Sequence, residues 1–180
     1  MDRLFVAIRP PEDIRDLLID VMDDGADFRW QSDDQLHLTL RFIGEVERPL
    51  ANELAIALAG VRAPAFALRL SGLGSFDRRS GGVLWAGVEP AAPLRALAAR
   101  IERICQAAGL PAERRAFHPH ITLARWRGPR SREARAFLDG RTVTSQPFKA
   151  DRFILYESRL SRHGAHYEQV ESFPLESVSA

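Results

Sequence analysis

His37-Leu38-Thr39-Leu40 and His120-Ile121-Thr122-Leu123 are two His-x-Thr-Leu tetrapeptides, one in each half of a 180-residue chain. Side chains alternate faces along a β-strand. The first stretch therefore predicts His37, Thr39 and Arg41 on one face, with Leu38, Leu40 and Phe42 on the other. In the second, His120 and Thr122 share a face opposite Ile121 and Leu123. The apolar set anchors each strand in a core, and the polar set is presented away from it. One such strand is ordinary on a solvent-facing sheet. Two matched copies point to a shared site.

Working outward, the apolar pattern predicts a strand at Leu4–Ile8, closed by Pro10-Pro11, and a helix from Glu12 to Met22 with Ile14, Leu17, Leu18 and Val21 at helical spacing. A strand follows from His37 to Gly44. A second helix runs from Pro49 to Val61, with its proline in the first turn. Strands at Phe66–Leu73 and Val83–Val88 flank a glycine-containing loop, 74–82. A helix from Pro93 to Ala108 is closed by Gly109. A strand from Ala116 to Trp126 carries the second motif, and a short helix covers Arg132–Leu138. Phe148–Leu160 and His166–Phe173 form a closing hairpin around Gly164. Each half repeats a similar order of elements around its His-x-Thr strand, a weak internal duplication. No linker separates the halves, so residues 1–180 are expected to pack as one unit of two lobes.

Formal net charge is only +1, so the whole molecule is no strong polyanion magnet. The distribution says more. Lys149 is the only lysine, and seven arginines (114, 115, 125, 127, 130, 132, 135) stand between positions 114 and 135 against one acid, Glu133. Arginine suits bidentate phosphate contacts, although a solvated basic face has the same composition. The single cysteine, Cys105, excludes an intramolecular disulfide and reads as a buried thiol in a helix, in keeping with a reducing compartment. The apolar run at the N-terminus is too short for a signal peptide. No stretch approaches the roughly 20 apolar residues of a membrane-spanning helix. A cytoplasmic protein is the expectation.

The residue types carry a chemistry. An imidazole with an ordinary pKa of about 6.5 can accept a proton while another donates one near neutral pH. Phosphodiester hydrolysis needs both, a base for the attacking water and an acid for the leaving oxygen. Threonine hydroxyls can donate hydrogen bonds to the non-bridging oxygens, whose charge grows in the transition state. No acidic cluster lies beside either motif, which disfavours a two-metal scheme.

These residues resemble the two-histidine phosphoesterase superfamily, and within it the RNA 2′,3′-cyclic phosphodiesterase branch, also called bacterial 2′-5′ RNA ligase. The resemblance runs over nearly the whole chain: the opening strand Arg3–Ile8, the first motif His37–Gly44, the intervening strand Val83–Val88, the second motif Phe117–Arg125, and a closing hairpin from Leu155 through Tyr167. It implies a bilobal α+β fold in which two antiparallel sheets with flanking helices face across a central cleft. It implies metal-independent hydrolysis of RNA or nucleotide 2′,3′-cyclic phosphates to 2′-phosphomonoesters, with no cofactor. By that resemblance His37 is the proton donor and His120 the acceptor, while Thr39, Thr122 and Arg125 hold the phosphate. The motifs are so alike that the sequence alone does not say which histidine is acid and which is base. Strict alternation would turn Arg125 away from His120 and bring Trp126 to its side, unless the strand ends or bulges after Leu123 or Arg125 reaches round from the strand's end.

Two other functions fit the same residues. One is reversible 2′-5′ ligation of a cyclic phosphate to a 5′-hydroxyl at this site. The other is a non-catalytic RNA-binding module using the arginine cluster, for which two matched His-x-Thr strands serve no purpose. The partners expected are RNA ends or small nucleotides, with no membrane, and the chain is expected to act as a monomer. His118 beside His120, and His163 with His166, are at metal-ligand spacing, but Pro119 and the lack of a nearby carboxylate argue against the first pair, and the second reads as loop decoration. Trp126, Phe42 and Tyr167 are candidates for base stacking, with Phe42 more in keeping with a buried core. Arg78 and Arg79 read as a solvated loop.

Overall fold

The computed structural model describes residues 1–22, 28–129, 132–162 and 164–177. The chain opens with β1 (Asp2–Ile8), whose Leu4 to Ile8 are all buried. That continuous apolar run is what a strand covered on both faces requires. Pro11 starts α1 (Glu12–Val21), whose first turn carries Glu12 and Asp13 toward the positive end of the helix dipole, and which buries Ile14 and Leu18. A short strand β2 (Arg29–Trp30) and a 3-10 turn over Asp33–Gln35 precede β3 (Leu38–Val46). Then come α2 (Arg48–Leu58), β4 (Phe66–Arg78), β5 (Gly81–Glu89) and α3 (Ala91–Ala107). The second motif lies on β6 (His120–Arg127), followed by α4 (Arg132–Gly140), β7 (Phe148–Ala150), β8 (Arg152–Ser161) and β9 (Gly164–Pro174).

The fold is α+β, as expected, and every strand pairing between these elements is antiparallel. The strands follow one path, β7-β4-β5-β6-β3-β1-β8-β9, with β2 added on β6. The two expected sheets are thus joined at their centre, and the junction is a single register pair, Leu38 with Ile121. One group of strands is built on β1-α1-β3 and takes back the C-terminal hairpin; the other is built on β5-α3-β6. One continuous core underlies both, with Leu38, Ile121 and Leu123 fully buried in it and α3 contributing Leu94, Leu97, Ile101 and Cys105.

The largest departures from the sequence reading are three. The expected loop 74–82 is a β-hairpin, in which β4 and β5 pair as far as Arg78 with Gly81. Its glycines serve close packing rather than a loop: a Cβ on Gly74 would stand 2.3 Å from the Trp85 ring, and one on Gly82 would stand 2.1 Å from the Trp126 ring. β6 begins at His120, not Ala116, since Pro119 donates no ladder hydrogen bond. The stretch expected to form one strand from Phe148 is divided, with β7 pairing to β4 and β8 to β1.

Candidate active site

Each motif strand carries a β-bulge at the same place. On β3, Thr39 stands opposite Ala7 and Arg41 opposite Val6, so Leu40 is the extra residue. On β6, Thr122 stands opposite Trp85 and Ala124 opposite Leu84, so Leu123 is the extra residue. A bulge places two residues against one and reverses the facing of everything after it. Arg125 therefore returns to the side of His120 and Thr122, while Trp126 turns into the core at 5% exposure. On β3 the same reversal overturns the expected facing. Arg41 is buried at 8% exposure, and Phe42, expected in the core, is 44% exposed. Phe42 thus occupies in the first motif the place that Arg125 occupies in the second.

The junction pair aligns the two motifs. With Leu38 opposite Ile121, the antiparallel register sets His37 across from Thr122 and Thr39 across from His120. Thr39, His120, Thr122 and Arg125 line a cavity of about 1570 Å³ between the motif strands, the tip of the β4–β5 hairpin and α3. His37 is not among the residues that line it; its ring packs with Phe5 at 4.8 Å and with Tyr167 edge-on at 5.2 Å. His120 has a matching pair of aromatic walls, Phe76 edge-on at 5.0 Å and Trp85 at 6.3 Å.

Both imidazoles are oriented in the same way. The His37 Nδ1–H donates to the Gln35 carbonyl at 2.7 Å, and the His120 Nδ1–H donates to the His118 carbonyl at 2.6 Å. A carbonyl can only accept, so each ring keeps its proton on Nδ1 and leaves Nε2 free to exchange one. Burial pushes the His37 pKa down to about 4, opposed by the Gln35 carbonyl and reinforced by the charges of Arg125, His120 and Arg9. His120 is lowered too, chiefly by burial, against the His118 carbonyl and with His118 and Arg125 adding to the shift. Both imidazoles are thus held toward the neutral form near the Arg125 guanidinium, an environment that favours an anion.

The supports of the two carbonyls differ. The 3-10 turn presenting Gln35 is capped by Ser32 and Gln35. Asp33 bonds Arg15 Nε at 2.8 Å and Arg9 at 3.1 Å, and these hydrogen bonds and charges, Arg15 foremost, hold its carboxyl below the ordinary value. Gln35 Nε2 donates to the Ala165 carbonyl at 2.6 Å, tying the turn to β9. His118 instead ends an irregular loop, 108–119.

Arg29, Arg78, Arg95, Arg115, Arg125 and Arg127 all line the cavity, and none forms an ion pair among the described residues. Sequence reading singled out only part of this set. Arg29 was hidden on a two-residue strand opposite Arg125, and Arg95 on a helix. Arg78, expected in a solvated loop, is a cavity residue at the end of β4. Phe76, 37% exposed, joins Phe42 as an aromatic wall. Trp126 borders the cavity but is only 5% exposed. His118 packs against Trp85 at 4.9 Å and Phe76 at 5.3 Å. His163, Arg130 and Ser131 lie outside the described residues. Among the described residues no group of three His, Cys, Asp or Glu is placed to hold a metal ion, and no helix is long and apolar enough to cross a membrane.

This chain is similar to known proteins over most of its length. Residues 6–162 match the family model of the 2′-5′ RNA ligase superfamily. An RNA 2′,3′-cyclic phosphodiesterase of Aeropyrum pernix is 42% identical over 59% of this chain, though the match spans only 62% of that protein's own length. One of Thermus thermophilus is 34% identical over 96% of this chain and 90% of its own. The crystal structure of Escherichia coli LigT complexed with 3′-AMP superposes with a TM-score of 0.78 at 30% identity, covering 97% of this chain and 98% of that one.

Proposed function

Because the chain belongs to the 2′-5′ RNA ligase superfamily, we propose that it hydrolyses RNA or nucleotide 2′,3′-cyclic phosphates to 2′-phosphomonoesters, using His37 and His120 as a proton-exchanging pair. The observation that carries this reading is the matched orientation of the two imidazoles, each fixed through Nδ1, on motif strands that pair at Leu38 and Ile121. Relatives named RNA 2′,3′-cyclic phosphodiesterase support it.

In this mechanism the cyclic phosphate lies between the motifs. Arg125 pairs with a non-bridging oxygen, and Thr39 and Thr122 donate hydrogen bonds to the charge that grows there. His120 Nε2 takes a proton from water as the water oxygen bonds phosphorus. The bond from phosphorus to O3′ breaks, and His37 Nε2 gives its proton to O3′, leaving phosphate on O2′. Burial and the neighbouring cations make protonated His37 a readier proton donor than an ordinary imidazolium. The arriving phosphate anion offsets those cations and raises the pKa of His37, so substrate binding charges the donor. On the same reading, residues 1–180 form one bilobal unit of two related halves, acting as a cytoplasmic monomer.

A 5′-hydroxyl in place of water would run the same atoms toward a 2′-5′ linkage. The superfamily's description favours keeping this second direction in view, and product analysis with an RNA carrying a 5′-hydroxyl separates the two.

The test is hydrolysis of a 2′,3′-cyclic mononucleotide by His37→Ala and His120→Ala variants with unchanged melting temperature. Both are expected to lose turnover, and full activity in either rejects the pair. Addition of a chelator is expected to leave the parent's rate unchanged; loss of activity on chelation would turn the reading toward a metal.

A further inference from the structure

Arg41 is the one charged residue among the described core residues, and it is displaced there by the first-motif bulge. Burying a guanidinium is costly unless it is paired and hydrogen-bonded, and this one is held by two carboxylates and two backbone carbonyls. Nε lies 2.5 Å from Glu102 Oε2 on α3. Nη2 donates to the Pro111 carbonyl at 2.7 Å. Nη1 donates to the Phe42 carbonyl at 2.8 Å and to Glu113 at 3.3 Å. The acceptors are themselves tied into the loop after α3. The Glu113 N–H donates to Glu102 at 2.9 Å, and the Arg115 N–H donates to Glu113 at 3.0 Å. Burial works to raise the Glu102 carboxyl, but the bonds from Gln106 and the Glu113 N–H, with Arg41, bring it below the ordinary value, so the ion pair stays charged.

This loop ends at the His118 carbonyl, the group that holds His120 Nδ1. His118 precedes β6, so sheet pairing does not fix its carbonyl; its ring packs on Trp85 and Phe76, and its backbone continues the loop tied to Arg41. From this arrangement we infer that Arg41, a residue of the first motif's own strand, is a positioning residue for the second imidazole, acting through Glu102, Glu113 and Pro111. The inference rests on the proposed reading that His120 exchanges a proton in the reaction.

The test compares Arg41→Gln, Arg41→Lys and Glu113→Ala with the parent. It follows kcat and KM for a cyclic mononucleotide and the imidazole 15N resonances of His37 and His120. Arg41→Gln is expected to lower kcat about tenfold or more, since small misplacements of a reacting group are costly, with KM within about twofold of the parent. The His120 resonances should move toward a mixture of tautomers while those of His37 stay. Arg41→Lys should recover part of the loss. Glu113→Ala, at a half-exposed position whose removal leaves the core intact, should show the same pattern more weakly, and reads the tether even where Arg41→Gln does not fold. Unmoved His120 resonances in Glu113→Ala and in every Arg41 variant that folds overturn the inference, as does equal movement at both histidines. Should the parent lack turnover, the reaction assignment fails, while the resonances still report whether the tether exists.

Discussion

The two motifs share a sequence, a bulge and a hydrogen bond to the ring, yet the surroundings of their histidines are built differently. His37 takes its orientation from a turn whose fastenings come from its own motif's side of the fold: Arg9 after β1, Arg15 on α1 and the Ala165 carbonyl on β9. His120 takes its orientation from an irregular loop whose fastening, Arg41, belongs to the other motif's strand. After the bulge the first motif shows the cleft a phenyl ring, and the second shows it a guanidinium. A repeated motif has thereby acquired one side that can bear charge and one that can bear an apolar or stacking surface.

The harshest way to break the likeness is to remove either ring. General acid–base pairs contribute about 10² to 10⁴ in rate each, so His37→Ala and His120→Ala should each lower kcat for a cyclic mononucleotide by at least about 10²-fold. A large loss in one and a small loss in the other would show that only one motif reacts. Exchanging the divergent residues is the next test. Arg125→Phe removes a cation aimed at the developing charge and should cost about 10² in kcat/KM. Phe42→Arg, measured in the same assay, should change it by no more than about threefold, because the first motif already operates without a cation there. Equal losses would mean that the two positions are interchangeable. Milder still is Asp33→Ala, which loosens the turn under Gln35. It should shift the His37 imidazole resonances and leave those of His120 in place, with a fall in kcat of about threefold.

The order of helices and strands was legible because each apolar run has a period that only one element satisfies. Ile14 and Leu18 read as helix and prove buried on α1; Leu38 and Ile121 read as strand and prove to be the central register pair. The histidines and threonines were legible for the same reason, since alternation holds from His37 to Thr39 and from His120 to Thr122. It fails one residue later. Nothing in Leu40 or Leu123 announces a bulge, because the extra residue is specified by the neighbouring strands β1 and β5 across the ladder. That is why Arg41 and Phe42 exchanged the faces assigned to them, and why Arg125 regained the cleft, of the routes left open for it, by a bulge. Gly74 and Gly82 misled in another way. A glycine in a strand can mark a close approach as readily as a turn, and the rings that approach, Trp85 and Trp126, are distant in sequence or on another strand.

The finest distinction between the motifs is in how far each site resists protonation, and acid stability measures it. His37 has a pKa of about 4 in the folded protein, against about 6.5 in the unfolded chain. Between those values the unfolded chain binds the extra proton, so stability is complete above about pH 6.5 and falls as the pH drops toward 4. From pH 7 to pH 5.5 this one group should remove about 1 kcal/mol of unfolding free energy. His37→Gln keeps a polar side chain that can still bond the Gln35 carbonyl but has no such proton to take up. Its denaturation midpoint should therefore fall less between pH 7 and 5.5 than the parent's. His120→Gln should flatten the profile less than His37→Gln, because His120 is lowered by a smaller pull. The reverse order would place the stronger burial and cationic environment at the second motif, and would exchange the two rings' standing as the stronger acid.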